Sequence, residues 1–159
     1  MKEDVTKELQ FAVERTFAHT FRTPVAGRFT PADLRQFPPG SVTSIIEITG
    51  HGPTGAIVLA FPSQTIFNLM KEIYRRDFTE VNKSVTDAVG EITNVIYGVF
   101  KHRLENYGYQ FGLSLPSVTT TPLTSFPLGT WAQAAEFHTP AGPFYVAIIN
   151  GGTALAQTA

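Results

Sequence analysis

Four residues at helical spacing form the most chemically distinctive pattern in the sequence. Asp87, Glu91, Asn94 and Gly98 follow one another at steps of four, three and four residues. At about 100° per residue, these steps place all four on one side of a helix, here called the polar stripe. Two carboxylates at this spacing could transfer protons or bind a cation. One helix face, however, supplies too few ligands for a metal site, and solvated acidic faces are common.

The carboxamide of Asn94 adds a different kind of chemistry. It does not transfer protons at neutral pH, but it both donates and accepts hydrogen bonds, so it can hold a water molecule in a fixed orientation. Orienting water is sufficient when the electrophile is already activated and its leaving group needs no proton. An acyl phosphate meets both conditions, because phosphoryl transfer depends mainly on positioning and charge stabilisation.

Other common catalytic patterns are absent from the sequence. The four histidines, at positions 19, 51, 102 and 138, lack the spacing of a metal site such as HExxH. There is no GxSxG elbow and no P-loop. The chain has no cysteine, which excludes disulfides, thiolate ligands and a thiol nucleophile. We expect a protein that binds no metal or other cofactor itself.

Composition limits the class of protein. The chain has 159 residues, and its 43% hydrophobic and 16% charged residues fit a globular domain. The net charge of −1 offers no basic surplus for nucleic acid or an anionic membrane. The N-terminus lacks the apolar segment of a signal peptide, and no apolar run approaches the ~20 residues of a membrane span. We expect a cytoplasmic protein with one domain over residues 1–150 and a frayed tail over 151–159.

Three amphipathic segments predict the helices that would position these residues. The polar stripe lies on a long helix, Ser84–Leu104. A first helix is predicted over Asp4–Phe21 and a shorter one over Gln64–Arg76, the latter with Ser63 as N-cap. The long helix has an apolar face opposite the stripe, formed by Val85, Val89, Ile92, Ile96, Val99 and Phe100. The shorter helix is predicted to bury Ile66, Phe67, Met70 and Ile73.

The strand pattern predicts two hairpins, Val42–Thr49 with Gly55–Phe61 and Thr130–His138 with Phe144–Asn150. A further strand is predicted over Tyr109–Leu115. An extended edge segment is predicted over 118–127, and a short helical turn after Thr30. The fold class is therefore α/β of the α+β type, with a mainly antiparallel sheet. The first and third helices should pack together on this sheet, because each has one apolar face to bury.

The order of long helix, irregular stretch and hairpin occurs twice, which suggests an internal duplication. The hairpin turns HGPTG (51–55) and HTPAG (138–142) share three residues, and Glu8 has the helical position of Glu91. A generic turn composition explains the likeness of the turns equally well. In a genuine repeat, Phe11 occupies the position of Asn94, so the polar stripe survives only in the second copy.

The pattern Asp87-x-x-x-Glu91-x-x-Asn94 resembles the D/S-x-x-x-E-x-x-N motif of the CheC/CheX/FliY chemotaxis phosphatase family. The likeness extends to TDAVGEITNVIYG around the motif, ITGHGPTGAIVLAFP before it and FGLSLPSV after it, and covers about residues 4–150. CheC proteins usually carry a second ExxN on the first helix, where this chain has Glu8 followed by Phe11. The resemblance is therefore to the CheX-like branch.

This resemblance implies a phosphatase that hydrolyses the aspartyl phosphate of a CheY-type response-regulator receiver domain. Asn94 would orient the attacking water, and Glu91 would pair with the receiver's active-site lysine. Mg²⁺ would be bound by the receiver and not by this chain. The resemblance also implies a homodimer formed through sheet edges, for which the stretch 118–124 is a candidate.

Two stripe residues have weaker assignments as partner contacts. Asp87 matches the first position of the motif, but its contribution could be limited to the helix dipole. Gly98 is assigned to the docking face from its position alone, because it costs roughly 1 kcal/mol against Ala in a helix interior unless something must approach closely. Val95 and Tyr97 flank the stripe and either widen the contact or rim the core.

Two other functions stay open at this point. A protein of the same fold could bind a regulator without turnover, or take part in a flagellar-switch-like assembly. Dephosphorylation by substoichiometric protein would distinguish the enzyme from such a module. An unrelated α/β domain could also carry ExxN by chance, which a buried Asn94 would indicate.

Overall fold

The computed structural model describes residues 2–32, 42–51, 55–121 and 131–150. Its helices are α1 (Lys2–Thr16), α2 (Ser63–Tyr74) and α3 (Lys83–Glu105), and α1 continues into a π-helical turn, Phe17–Phe21. The strands are β1 (Thr30–Pro31), β2 (Val42–Ile48), β3 (Gly50–His51), β4 (Gly55–Phe61), β5 (Gln110–Phe111), β6 (Ser117–Thr119), β7 (Trp131–Thr139) and β8 (Gly142–Asn150).

Six strands form one sheet in the order β1-β7-β8-β4-β2-β6, and all its described pairs are antiparallel. Both predicted hairpins, β2–β4 and β7–β8, are confirmed, and they join through the central β4–β8 pair. Strands β3 and β5 form a separate pair. The predicted α+β fold with a mainly antiparallel sheet is therefore confirmed.

The core lies between the helices and one face of the sheet. Because side chains alternate along a strand, each central strand sends every second residue towards the helices. Phe144 of β8 lies at the centre, stacked on Phe17, Phe61 and Phe137 at centroid distances of 4.5, 5.2 and 5.3 Å. All four rings are fully buried. A smaller apolar cluster around Val58, Ala147 and Ile149 lies on the opposite face.

The two long helices contact each other, as predicted, and α3 also packs on β2 and β6. Asn82 caps α3, because its side-chain oxygen accepts a hydrogen bond from the backbone N–H of Val85 at 3.2 Å. The predicted core face of α3 is buried, with Val99 partly exposed. Helix α2 contacts α3, β8 and the π-helical turn. No helix in the described ranges is long and apolar enough to cross a membrane.

Two predicted elements, the strand over 109–115 and the helical turn after Thr30, are wrong. In both cases the outcome depends on pairing with distant segments, which local sequence does not reveal. Only Gln110–Phe111 of the predicted strand 109–115 is a strand, paired with the two residues of β3. Beyond it, Leu113 and Leu115 are 95% and 84% exposed. Thr30–Pro31 is an edge strand on β7 and not a helical turn. An edge tolerates proline there, because its missing N–H can face away from the sheet.

The predicted ends of α2 also differ from the structure. Pro62 occupies the N-cap position and Ser63 is the first helical residue. Ile73, predicted to be in the core, is 41% exposed. The predicted extended edge segment is confirmed as far as β6, which forms one edge of the sheet. Three predicted segments lie outside the described residues: the rest of this edge segment from 122 onwards, the turn at 52–54 and the tail at 151–159.

Candidate functional site

The polar stripe lies on the exposed side of α3. Asp87, Glu91, Asn94 and Gly98 are all exposed, whereas the opposite side of the helix is buried in the core. The helical spacing in the sequence therefore predicted the orientation of α3 correctly. Asn94 is therefore not a core residue. A buried Asn94 would have favoured a chance motif in an unrelated fold.

Glu91 and Asn94 are the two stripe side chains available for an external partner. Neither forms a hydrogen bond or ion pair with any residue that the structure describes. At a separation of three positions on a helix, their Cβ atoms are about 5–6 Å apart. A carboxylate and a carboxamide at that distance can contact neighbouring groups of one bound surface, the first accepting hydrogen bonds and the second both donating and accepting.

Asp87 differs from Glu91 because it has an internal partner. Its Oδ2 lies 2.7 Å from Nζ of Lys83, four residues earlier on the same helix. Both side chains are largely exposed, so this pair contributes at most roughly 0.5 kcal/mol. The structure thus places the motif's first residue on the stripe, but its charge is already partly balanced.

Gly98 has open space around its α-carbon. A Cβ added there would meet no atom of the described residues within 4 Å. The isolated chain therefore gives no steric reason for glycine at this exposed position of a helix interior. Of the two flanking residues, Tyr97 is buried and belongs to the core, whereas Val95 is 39% exposed and extends the surface beside the stripe.

The corresponding surface of α1 is closed by side-chain contacts. Glu8 is buried, and its carboxylate accepts hydrogen bonds from Arg103 and from the Tyr107 hydroxyl. This pairing raises the pKa of Arg103. The Arg103 guanidinium also lies 4.0 Å from the ring centroid of Phe11, the residue at the position of Asn94. Glu8 and Phe11, which would correspond to Glu91 and Asn94, therefore contact residues at the end of α3 and attach α1 to it.

The strand order agrees with the predicted duplication. Each edge of the sheet is a short strand that comes after a long helix in the sequence: β1 after α1, and β6 after α3. Next to each edge strand lies a hairpin, and the two hairpins meet in the middle of the sheet. Each short edge strand pairs with the hairpin of the other half: β1 with β7 and β6 with β2. This pseudo-symmetric order is compatible with two related halves that exchange their edge strands.

An apolar groove next to the stripe was not predicted from the sequence. It is a cavity of about 160 Å³ between the π-helical turn, the end of α2 and α3, here called the α2–α3 groove. Two of its residues, Ile73 and Tyr74, are 41% and 54% exposed. Its lining residues include Thr20, Phe21, Ile73, Tyr74, Glu91 and Val95.

Sequence periodicity could not reveal this groove, because its walls come from three separate segments. Ile73 has the helical spacing of a core residue, and only the position of α2 relative to α3 leaves it exposed. In the described part of the chain, no group of three or more His, Asp or Glu side chains could hold a metal ion.

Comparison with protein families gives one match. The family described as "Chemotaxis phosphatase CheX" matches residues 42–129, which include all of α3 and more than half of the chain. Among curated proteins, none matches the chain significantly.

Solved structures share the whole fold. A CheC-like superfamily protein from Shewanella sp. PV-4 is 20% identical with a TM-score of 0.84, covering 96% of this chain and 100% of that one. A CheX from Desulfovibrio desulfuricans is 24% identical, with a TM-score of 0.79 and coverages of 92% and 99%. The CheX–CheY–BeF₃–Mg²⁺ complex from Borrelia burgdorferi matches at 16% identity and a TM-score of 0.74, with coverages of 91% and 96%.

Proposed function

Because the chain belongs to the CheX family of chemotaxis phosphatases, we propose that it hydrolyses the aspartyl phosphate of a CheY-type receiver domain. The observation that carries this proposal is the exposed Glu91/Asn94 pair, which has no partner among the described residues. The partner class is supported by the Borrelia burgdorferi complex, in which a CheX of the same fold is bound to CheY.

In the proposed reaction, the Asn94 carboxamide accepts a hydrogen bond from the attacking water and holds it in line with the P–O bond of the aspartyl phosphate. The water oxygen attacks phosphorus, the bond to the aspartate oxygen breaks, and the products are inorganic phosphate and a free carboxylate. The protons of the water leave with the phosphate and bulk solvent. Mg²⁺ is assigned to the receiver, where it neutralises charge on the phosphoryl oxygens.

Glu91 is proposed to dock the helix. Its carboxylate pairs with the receiver's active-site lysine and thereby sets the register of α3, so that Asn94 faces the phosphoryl group. Since Glu91 is unpaired among the described residues, no ion pair with them must break before this contact forms. The interaction is a charge-assisted hydrogen bond, which is stronger than one between neutral groups.

Replacing Glu91 by Gln should raise KM for the phosphorylated receiver about tenfold and change kcat by less than about threefold, because the variant loses charge pairing but keeps Asn94. Dephosphorylation rates measured over a range of receiver concentrations give both constants. Asp87→Asn is the matched control, since Asp87 is already paired with Lys83 and should tolerate the change. Equal effects at both positions, or a Glu91→Gln effect on kcat alone, would contradict the docking role.

Replacing Gly98 by Ala should stabilise the isolated protein by about 1 kcal/mol and weaken receiver binding. The stabilisation follows from the open space at Gly98, and the weaker binding from a methyl group on the docking face. Urea unfolding and a binding titration measure the two effects. Gly90→Ala is the matched control: it lies on the same helix beside Val118, 3.5 Å from an added Cβ, and should leave binding unchanged. Unaltered binding by Gly98→Ala would remove Gly98 from the interface.

The experiment that tests the function as a whole is a panel of receiver domains from the same genome. Each is phosphorylated with a small-molecule donor, and its loss of phosphate is followed with substoichiometric protein present. Several receiver molecules turned over per molecule of protein would establish an enzyme. Binding of a receiver without turnover would support the non-catalytic module instead.

We further propose a homodimer formed through the β6 edge, with residues 1–150 as a single domain. The edge strand β6 has a described neighbour on one side only, β2, and the preceding Leu113 and Leu115 are almost fully exposed. A sedimenting mass near that of one chain, 17.4 kDa, would contradict the dimer.

We also propose a cytoplasmic location, which the cysteine-free composition favours.

A further inference from the structure

The α2–α3 groove and the polar stripe share a residue. Glu91 belongs to the stripe and also lines the groove, and Val95, one turn further along α3, lines the groove next to Asn94. A partner group that pairs with the Glu91 carboxylate must therefore lie at the mouth of the groove. The two surfaces are therefore continuous.

The stripe alone is too small to bind a folded protein specifically. A stable interface covers about 800 Å² on each partner, whereas the stripe consists of four residues on one helix, one of them a glycine. The partner must extend over neighbouring surface. On the groove side it meets Ile73, Tyr74 and Val95, which are 39% to 54% exposed. Exposed aliphatic and aromatic side chains around a cavity are typical anchor sites of interfaces.

The chemistry of the groove specifies what it can accept. Its walls are almost entirely carbon, and the one carboxylate among its lining residues is that of Glu91. Such a surface complements an apolar side chain that lies next to a cation. A lysine is such a cation, and its aliphatic stem also prefers an apolar wall while its ammonium group stays at the carboxylate.

We propose that the α2–α3 groove receives an apolar side chain of the receiver domain, next to the lysine that pairs with Glu91, and that this contact determines affinity and the choice of regulator. The inference rests on the proposed function, because it takes the receiver as the partner. It assigns Ile73, Tyr74 and Val95 to partner selection, while Asn94 acts on the phosphoryl group.

Substitutions on the two walls of the groove test this assignment. Ile73→Ser on α2 and Val95→Ser on α3 should each raise KM about tenfold and leave kcat within about twofold. The receiver used is the one that the wild-type protein dephosphorylates fastest in the genomic panel. Glu72→Ser is the matched control, because Glu72 is exposed on the same helix as Ile73 but does not line the groove. Thermal unfolding of each variant confirms that it is folded.

A labelling experiment tests the contact without weakening it. Since the chain has no cysteine, Val95→Cys and Glu72→Cys each introduce a unique thiol. The same receiver is held in its activated form by beryllofluoride and Mg²⁺ and added at a saturating concentration. It should slow maleimide labelling at position 95 at least about tenfold. Labelling at position 72 should be unaffected.

The outcomes separate this inference from the proposed function. Wild-type KM in both serine variants, together with unprotected labelling at position 95, would overturn the groove assignment while dephosphorylation by the wild-type protein stands. If the wild-type protein accelerates dephosphorylation of no receiver in the panel, the proposed function and the groove assignment are both wrong. A rise in KM with protection at position 95 supports both.

Discussion

Replacing Asn94 by Ala should lower kcat for receiver dephosphorylation about 100-fold or more, while the affinity for the receiver stays within about twofold. The carboxamide is expected to act only on the attacking water, so its loss affects the transition state more than the bound ground state. Since Asn94 is exposed and has no partner among the described residues, its removal leaves no buried group unsatisfied. Single-turnover dephosphorylation and a binding titration with beryllofluoride-activated receiver measure the two quantities.

The matched control for this prediction is Asn106→Ala. Asn106 is an exposed asparagine at the end of the same helix, and it should be replaceable without a change in kcat. Asn94→Gln is informative as well, because it keeps the carboxamide but moves it outwards by one methylene, and it should recover only part of the rate. Dephosphorylation by Asn94→Ala at the wild-type rate for each receiver of the panel would show that another group orients the water.

Elements that rest on a local apolar pattern could be predicted from the sequence. The bounds of α3 differ from the predicted ones by one residue at each end, and β4 has its predicted bounds. Both depend on local features. Helix α3 follows from a helical apolar period and from the residues that end it. Strand β4 follows from a short continuous apolar run, and all seven of its residues are buried. For the same reason the exposure of the polar stripe followed from spacing alone.

Features that depend on distant neighbours could not be predicted. Leu113 and Leu115 have the apolar alternation of a strand, but none of the described strands pairs with them, and they are exposed. Thr30–Pro31 is a strand only because residues 133 and 134 lie next to it. Apolar periodicity shows which residues can be buried, whereas the packing of other segments decides which of them are.

The closure of α1 is a further case. The sequence places Phe11 three residues after Glu8, where a second ExxN would need an asparagine. The contacts of Arg103 and Tyr107 with Glu8, however, join positions more than 90 residues apart. The groove likewise needs α2, α3 and the π-helical turn to be placed together. Local sequence patterns therefore do not predict the groove, because its walls meet only in the folded chain.

Replacing Phe144 by Ala should lower the free energy of unfolding by about 3–5 kcal/mol, the largest loss of stability that we expect from a single truncation in this chain. Phe144 is fully buried and its ring stacks on Phe17, Phe61 and Phe137, which come from the π-helical turn and from both hairpins. Its removal leaves a cavity that these separate elements cannot close without moving. Urea unfolding with an unchanged m-value measures the loss.

The effect on catalysis should be indirect, because Phe144 is connected to the groove and not to Asn94. Phe17 stacks on Phe144 and also contacts the ring of Phe21, 4.9 Å away, which lines the α2–α3 groove. At a temperature where Phe144→Ala is still folded, KM should rise while kcat stays near the wild-type value. Phe144→Leu, which fills more of the cavity, should cost less than the alanine variant and recover KM. A fall in kcat with unchanged KM would mean instead that the aromatic core positions the polar stripe.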